Sequence, residues 1–235
     1  MRILVLADIH ANWPALAAIH EPFDACFVLG DLVEYGAQPI ECIDWVRQHA
    51  TVVIRGNHDH SVAQHVPPPS GSGLRGLAGA TRLQHWQLLS ASHLKFLSRL
   101  PVTQTVELGN QRFHLVHATP RDPMDEYLAI DAATWTTRLR EIDADFVCVG
   151  HTHLQFHLDL GRLQLVNPGS VGQPRDGDPR AAYAIIEDGR VELKRVEYDV
   201  DSAVSALRLA GLSPDQFDQA ESLLRTGRPL LKSDP

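Results

Sequence analysis

Five apolar runs along this chain each stop at residues whose side chains can donate an electron pair. Ile3-Leu4-Val5-Leu6-Ala7 leads into Asp8-Ile9-His10, Cys26-Phe27-Val28-Leu29 into Gly30-Asp31, and Thr51-Val52-Val53-Ile54-Arg55 into Gly56-Asn57-His58-Asp59. Further on, Phe113-His114-Leu115-Val116 leads into His117, and Phe146-Val147-Cys148-Val149 into Gly150-His151-Thr152-His153. Short β-branched and apolar runs of this kind read as buried strands. Open α/β sheets place their chemistry beyond the carboxyl ends of such strands. One such event would be noise; five define a site.

Between the first three runs the apolar spacing becomes helical. Asn12 suits an N-cap with Pro14 near the first helical position, and Ala15, Leu16, Ala18 and Ile19 form an apolar face. Pro39 opens a second helix with Ile40, Ile43 and Val46 on one side. This is the βαβαβ order of a parallel sheet. Val66 to Gly73 is Val-Pro-Pro-Pro-Ser-Gly-Ser-Gly, which can continue neither helix nor strand and reads as an exposed loop, either a linker or a lid. A helical segment follows at about 74–99. The second half then holds strands at 103–108, 111–116, 146–149, 154–160, 163–166, 182–187 and 191–197. Gly109-Asn110 and Asp188-Gly189 are hairpin turns by composition. Tail helices come after about residue 199, and the whole chain, 1–235, reads as one domain.

Composition narrows the chemistry. No apolar run approaches the roughly 20 residues a membrane span needs. Cys26, Cys42 and Cys148 are odd in number and far apart, which fits buried reduced thiols in a cytoplasmic protein. A net charge of −8 argues against a nucleic-acid polymer as partner. Thirteen histidines point towards metal.

Asp8 and His10 are two residues apart, as are His151 and His153, so each pair projects to one side of an extended segment. Asp8, His10, Asp31, Asn57, His117, His151 and His153 make seven donors without a thiolate, a set suited to divalent manganese, iron or zinc. Seven are too many for one ion with an open position and enough for two if Asp31 bridges. Four positive charges against two carboxylates and a hydroxide leave about +1, which attracts anions, phosphate first.

In this order the motifs Asp8-x-His10, Gly30-Asp31, Gly56-Asn57-His58-Asp59, His117 and Gly150-His151-Thr152-His153 resemble the calcineurin-like metallophosphoesterases, up to about Glu197. His117 to Pro123 and Asn167 to Gly172 further resemble the small bacterial phosphodiesterase branch labelled dinucleoside-tetraphosphatase-like. The resemblance implies a four-layer αββα sandwich of two mixed sheets flanked by helices. It implies one metal on Asp8, His10, Asp31 and His153, and a second on Asp31, Asn57, His117 and His151. It gives His58 the catalytic role at the leaving group, opposite a metal-bridging hydroxide that attacks phosphorus.

Departures from the family pattern also carry information. Protein serine/threonine phosphatases have Asp-Arg where this chain has Glu34-Tyr35. Glu34 can still orient His58, but Tyr35 cannot replace a guanidinium fork. Asn12 and Arg121 are the substrate-binding candidates, Arg175 is a further candidate phosphate contact, and Asp59 reads as a loop-fixing residue. The expected function is a phosphoesterase acting on small phosphodiesters or nucleotides, dinucleoside polyphosphates included. The alternatives are a protein phosphatase and a non-catalytic scaffold with the same fold.

Overall fold

Strand β1 (Arg2–Leu6) shows how one run serves two layers. Its Ile3 and Val5 pack inward with Phe27, Phe113, Leu115 and Phe146, whereas Leu4 and Leu6 pack outward with Leu16, Ile43 and Val46. Both faces are buried, so the run reads as continuously apolar and the period-two pattern is hidden in it. The computed structural model describes residues 1–69 and 71–230; Ser70, inside the loop expected at 66–73, and residues 231–235 lie outside them.

The elements follow in chain order. After β1 come α1 (Trp13–Ala17), β2 (Ala25–Val28), α2 (Pro39–His49), β3 (Val52–Val53), α3 (Asn57–Ala63), α4 (Gly73–Leu88) and α5 (Ala91–Arg99). Next are β4 (Thr103–Leu108), β5 (Gln111–Val116), α6 (Ala132–Arg138), β6 (Phe146–Cys148), β7 (Gln155–Asp159) and β8 (Gln164–Pro168). The chain ends with β9 (Ala181–Glu187), β10 (Arg190–Val196), α7 (Val200–Arg208) and α8 (Pro214–Thr226).

Two mixed five-stranded sheets result, in the orders β10-β9-β1-β2-β3 and β4-β5-β6-β8-β7. In the first, β1, β2 and β3 are parallel and β9 runs against β1; in the second, β5, β6 and β8 are parallel and β4 and β7 run against them. Phe27 meets Phe113 edge-on across the sheet interface with ring centroids 5.3 Å apart. Helices α1 and α2 cover one outer face, and α6 covers the other through Trp135 and Leu139. The four-layer sandwich is thus the observed fold. Among the described residues no helix is long and apolar enough to cross a membrane.

The expected helical segment at 74–99 is two helices. The break falls at Leu89–Ser90, where Ser90 caps α5 by accepting from His93 N. Helices α4, α7 and α8 gather around Tyr35 through Leu77, Val204, Leu207 and Leu224. Both hairpin turns hold two consecutive positive φ angles, Gly109-Asn110 at 57° and 63° and Asp188-Gly189 at 49° and 80°, as two-residue turns require. All three cysteines are free and buried.

Candidate metal centre

The parallel strands β1, β2, β3, β5 and β6 all deliver their carboxyl ends to one edge of the sandwich. Two clusters form there, Asp8 with His10 and His153, and Asp31 with His117 and His151. His153 Nε2 lies 3.4 Å from Asp8 Oδ1, and His10 Nε2 lies 3.9 Å from the same oxygen and 3.8 Å from Asp31 Oδ2. His117 Nε2 lies 3.2 Å from Asp31 Oδ2, which places Asp31 between the clusters.

The backbone reaches this convergence differently from the sequence expectation. Asp8, His10, His151 and His153 have φ of 53°, 48°, 65° and 58°, so none sits in extended backbone. Their pairs converge through left-handed turns, and the pleat has no part in it. Eight of the eleven non-glycine residues with positive φ among the described residues lie here, adding Ala11, Asp31, Glu34 and Tyr35. Each costs on the order of 1–3 kcal/mol and persists only where its surroundings over-determine it.

Those surroundings are hydrogen bonds. Asp8 Oδ2 accepts from His151 N at 3.0 Å and Asp31 Oδ1 from His58 N at 2.9 Å, which leaves the other oxygen of each carboxylate turned to the clusters. Asp59, expected to fix its loop, accepts from Asp31 N, Leu32 N and Gly56 N at 2.8, 2.8 and 3.0 Å. Gly56 and Gly150 are forced by contact: a Cβ on Gly56 would overlap Asp31 Oδ1, and one on Gly150 would sit 2.8 Å from Asp8 Oδ2.

The donor atoms fit a cation. His10, His117 and His153 each donate Nδ1–H to a backbone carbonyl, of Val33, Leu29 and Gln173, at 2.9, 2.7 and 2.6 Å. That fixes the tautomer and turns the Nε2 lone pairs inward. His10 Nε2 and His153 Nε2 consequently face each other at 3.1 Å, two lone pairs with no proton between them. Asp8 Oδ1, Asn57 Oδ1, His117 Nε2 and His151 Nε2 are buried without an aligned hydrogen-bond partner. Orphaned buried acceptors are costly unless an ion satisfies them. Burial holds His10 and His153 well below the usual imidazole range and His151 at about 3, so these three stay neutral and able to ligate. For His117 burial works the same way, but the Asp31 carboxylate outweighs it and raises the imidazole to about 10, so a cation shared with Asp31 would have to displace a proton from Nε2 to use its lone pair.

His58 stands beside the clusters, its Nε2 4.0 Å from Asp31 Oδ2. Its Nδ1 donates to Glu34 Oε2 at 2.6 Å, and Glu34 is fully buried. Arg82 of α4 completes the chain, its Nε donating to Glu34 Oε1 at 2.6 Å and its Nη1 to the carbonyls of Val66 and Pro67. No local sequence signal marks Arg82, because it joins the site from a helix that begins far along the chain from Glu34. Tyr127, also unmarked, packs its ring 4.1 Å from that of His151.

The two substrate candidates are placed differently. Asn12 accepts from Ala15 N and donates to Gly172 O at 2.9 Å, so its amide ties two loops together. The Arg121 side chain is 70% exposed and pairs with Glu126 at 3.1 Å. Arg175 instead reaches the site, its Cζ 5.6 Å from the centroid of the Tyr35 ring.

A sandwich of two mixed sheets with paired Asp/His clusters at its strand ends defines a metal-binding phosphoesterase. Residues 1–189 match the calcineurin-like phosphoesterase superfamily domain, and the chain belongs to that family of phosphoric ester hydrolases. An uncharacterized protein of Methanocaldococcus jannaschii is 33% identical over 224 residues, covering 86% of this chain and 89% of that protein. The crystal structure of a metallophosphoesterase from Sphaerobacter thermophilus is also 33% identical, with a TM-score of 0.79 over 97% of this chain and 100% of its own. Phosphodiesterase YfcE of Escherichia coli K12 is 24% identical, over 80% of this chain and 88% of its own.

Proposed function

We propose that this chain is a dinuclear metal-dependent phosphoesterase that hydrolyses small phosphodiesters or nucleotides. The observation that carries the reading is the set of inward-facing, unpartnered donor atoms beside a histidine held by a buried carboxylate. Asp8, His10, Asp31 and His153 would hold one divalent ion, and Asp31, Asn57, His117 and His151 the other. When bound, such ions supply Lewis-acid charge to the phosphoryl oxygens and acidify a water for attack on phosphorus.

The remaining chemistry belongs to the chain. Burial opposes protonation of His58, but the carboxylates of Asp31 and Glu34 outweigh it and raise its pKa. With Nδ1–H committed to Glu34, Nε2 presents its proton towards the clusters, where an ester oxygen leaves. Glu34 fixes the ring, and Arg82 fixes Glu34. The His58 and Glu34 geometry favours an enzyme over a scaffold, and the YfcE phosphodiesterase favours a diester or nucleotide over a phosphoprotein.

The test is hydrolysis by chelator-treated protein reloaded with manganese, iron or zinc. An aryl phosphodiester and a dinucleoside polyphosphate are compared with a phosphoserine peptide by kcat/KM. Manganese-dependent turnover of the first two is expected. Faster turnover of the phosphopeptide would replace this reading with that of a protein phosphatase, and no turnover with any metal would favour the scaffold.

A further inference from the structure

Arg175 sits in a loop that is bolted to the metal-ligand loops. Behind β8, Val171 N donates to Ala7 O and Gly172 N to Asp8 O, each at 3.0 Å, and Ser170 Oγ donates to Asp8 O at 2.7 Å. Gln173 is buried between the loop and its target. Its backbone carbonyl accepts from His153 Nδ1, while its side-chain Oε1 accepts from Arg175 Nε and Nη2 at 3.2 and 2.7 Å. One oxygen of Gln173 therefore orients the guanidinium while another orients a ligand of the metal centre.

The guanidinium so held lies over the Tyr35 ring. That ring is itself wedged between His10 and His58, with centroids 4.8 and 5.0 Å away. Among the described residues no carboxylate pairs with Arg175, and Asp176, next in the chain, is taken by Arg195. The guanidinium is half-buried and carries no ion pair there, and the Tyr127 hydroxyl is the other polar group within its reach. Arg121, by contrast, is spent on Glu126 at the surface.

At the position where protein phosphatases have Arg this chain has Tyr35, and the sequence leaves Arg121 and Arg175 as the candidate phosphate contacts. The fold brings the Arg175 guanidinium over the Tyr35 ring from the loop that follows β8.

We propose that Arg175 grips a nonbridging oxygen of the reacting phosphoryl group, and that it equips the centre to take a terminal, dianionic phosphate as well as a diester. The inference rests on the phosphoesterase reading above and adds terminal phosphates to its substrate class. A planar fork suits a phosphoryl face with two free oxygens. A monoester offers one more charged oxygen than a diester, so it gains more from the contact.

The experiment compares wild type, Arg175→Ala and Arg175→Lys, loaded with manganese, on an aryl phosphomonoester and on an aryl phosphodiester with the same leaving group. Arg175→Ala is expected to lose roughly 10–100-fold in kcat/KM on the monoester, about what one charge-assisted hydrogen bond contributes. It should lose several-fold less on the diester. Arg175→Lys should fall between, and metal content should equal that of wild type. Inorganic phosphate, titrated calorimetrically into metal-loaded protein, should bind wild type at least about tenfold more tightly than Arg175→Ala.

A change under about threefold on both esters and in phosphate affinity would overturn the assignment. So would equal losses on both esters with reduced metal content, which mark a structural role. If wild type hydrolyses neither ester, the phosphoesterase reading fails by itself, and the phosphate titration still decides whether Arg175 is an anion site.

Discussion

Arg82→Met is the sharpest perturbation of the chain that ends at His58. Methionine keeps the aliphatic stem and removes every N–H that Arg82 donates. Glu34, fully buried, then retains His58 as its one charge partner, because the 2.6 Å bond from Arg82 Nε and the 3.4 Å bond from Nη2 are gone. Removing one partner of a buried ion pair costs about 3–5 kcal/mol. The carbonyls of Val66 and Pro67 add little, since both residues are exposed and water can replace Nη1. For a chain of this size each kcal/mol lowers Tm by about 2–4 °C, so a fall of roughly 6–20 °C is expected.

Guanidinium denaturation of chelator-treated protein isolates this loss from metal binding. The pairing is tested by a double-mutant cycle with Glu34→Gln. If Arg82 acts through the Glu34 charge, the double variant should be less destabilised than the sum of the singles, by about 0.5–3 kcal/mol. In the metal-loaded protein Arg82→Met should also lower kcat more for esters with poor leaving groups than for nitrophenyl esters. An additive cycle, or a stability within about 1 kcal/mol of wild type, would refute the argument, since exposed substitutions already vary by about half that.

Three further outcomes follow from the same geometry. His58→Ala should keep its metal and lose about 10²–10⁴-fold in kcat on alkyl esters, with a much smaller loss on nitrophenyl esters; equal losses would remove His58 from the acid role. Asp59→Ala strands the amides of Gly56, Asp31 and Leu32, so a loss of roughly 4 kcal/mol or more in denaturation is expected, together with weaker metal retention on dialysis; retained affinity and stability would show that the three bonds are dispensable. Hydrogen bonds from Lys194, Arg2 and Tyr183 hold the Glu21 carboxyl down to about 2, below its ordinary 4.5. The folded pKa is the lower one, so this stabilisation is present above about pH 4.5 and is lost as pH falls towards 2. The Tm gap between wild type and Glu21→Gln should therefore close over that window; a constant gap would mean the carboxyl is not tied to folding.

The convergence of the candidate donors was legible in the sequence because it depends on where buried strands stop, which is a local property of the chain. Asp31 follows β2 and His117 follows β5 whatever the rest of the molecule does. The way Asp8 and His10 converge was not legible. Spacing of two residues is compatible with a pleat, and only the bonds made to His151 N, Val33 O and the 170–172 loop show that the backbone is left-handed instead. Helix α3 was hidden for a similar reason. Asn57, His58 and Asp59 read as residues of a loop, yet they form its first turn, with Asp59 returning to cap Gly56 N. Arg82 lay beyond reach altogether, and Arg175 could be marked only as a candidate phosphate contact alongside Arg121, because a single arginine on a helix or in a loop carries no local mark of where its guanidinium ends.

Those distant residues explain how the strained segment survives. Glu34 and Tyr35 have φ of 65° and 62°, unfavourable for side chains of their size, and no neighbour in sequence holds them there. Helix α4 does. Thr81 Oγ1 accepts from Tyr35 N at 2.9 Å, His85 Nδ1 accepts from Glu34 N at 3.1 Å, and His85 Nε2 donates to Gly36 O at 3.0 Å. Burial keeps His85 neutral by lowering it to about 4, which leaves Nδ1 free to accept. Thr81, Arg82 and His85 share one face of the helix, so a single rigid element grips the backbone and the carboxylate of one loop. The stretch between α3 and β4 thus belongs to the centre as much as the strands do. A substitution that tilts α4 should move Glu34, and with it His58, without touching a metal ligand.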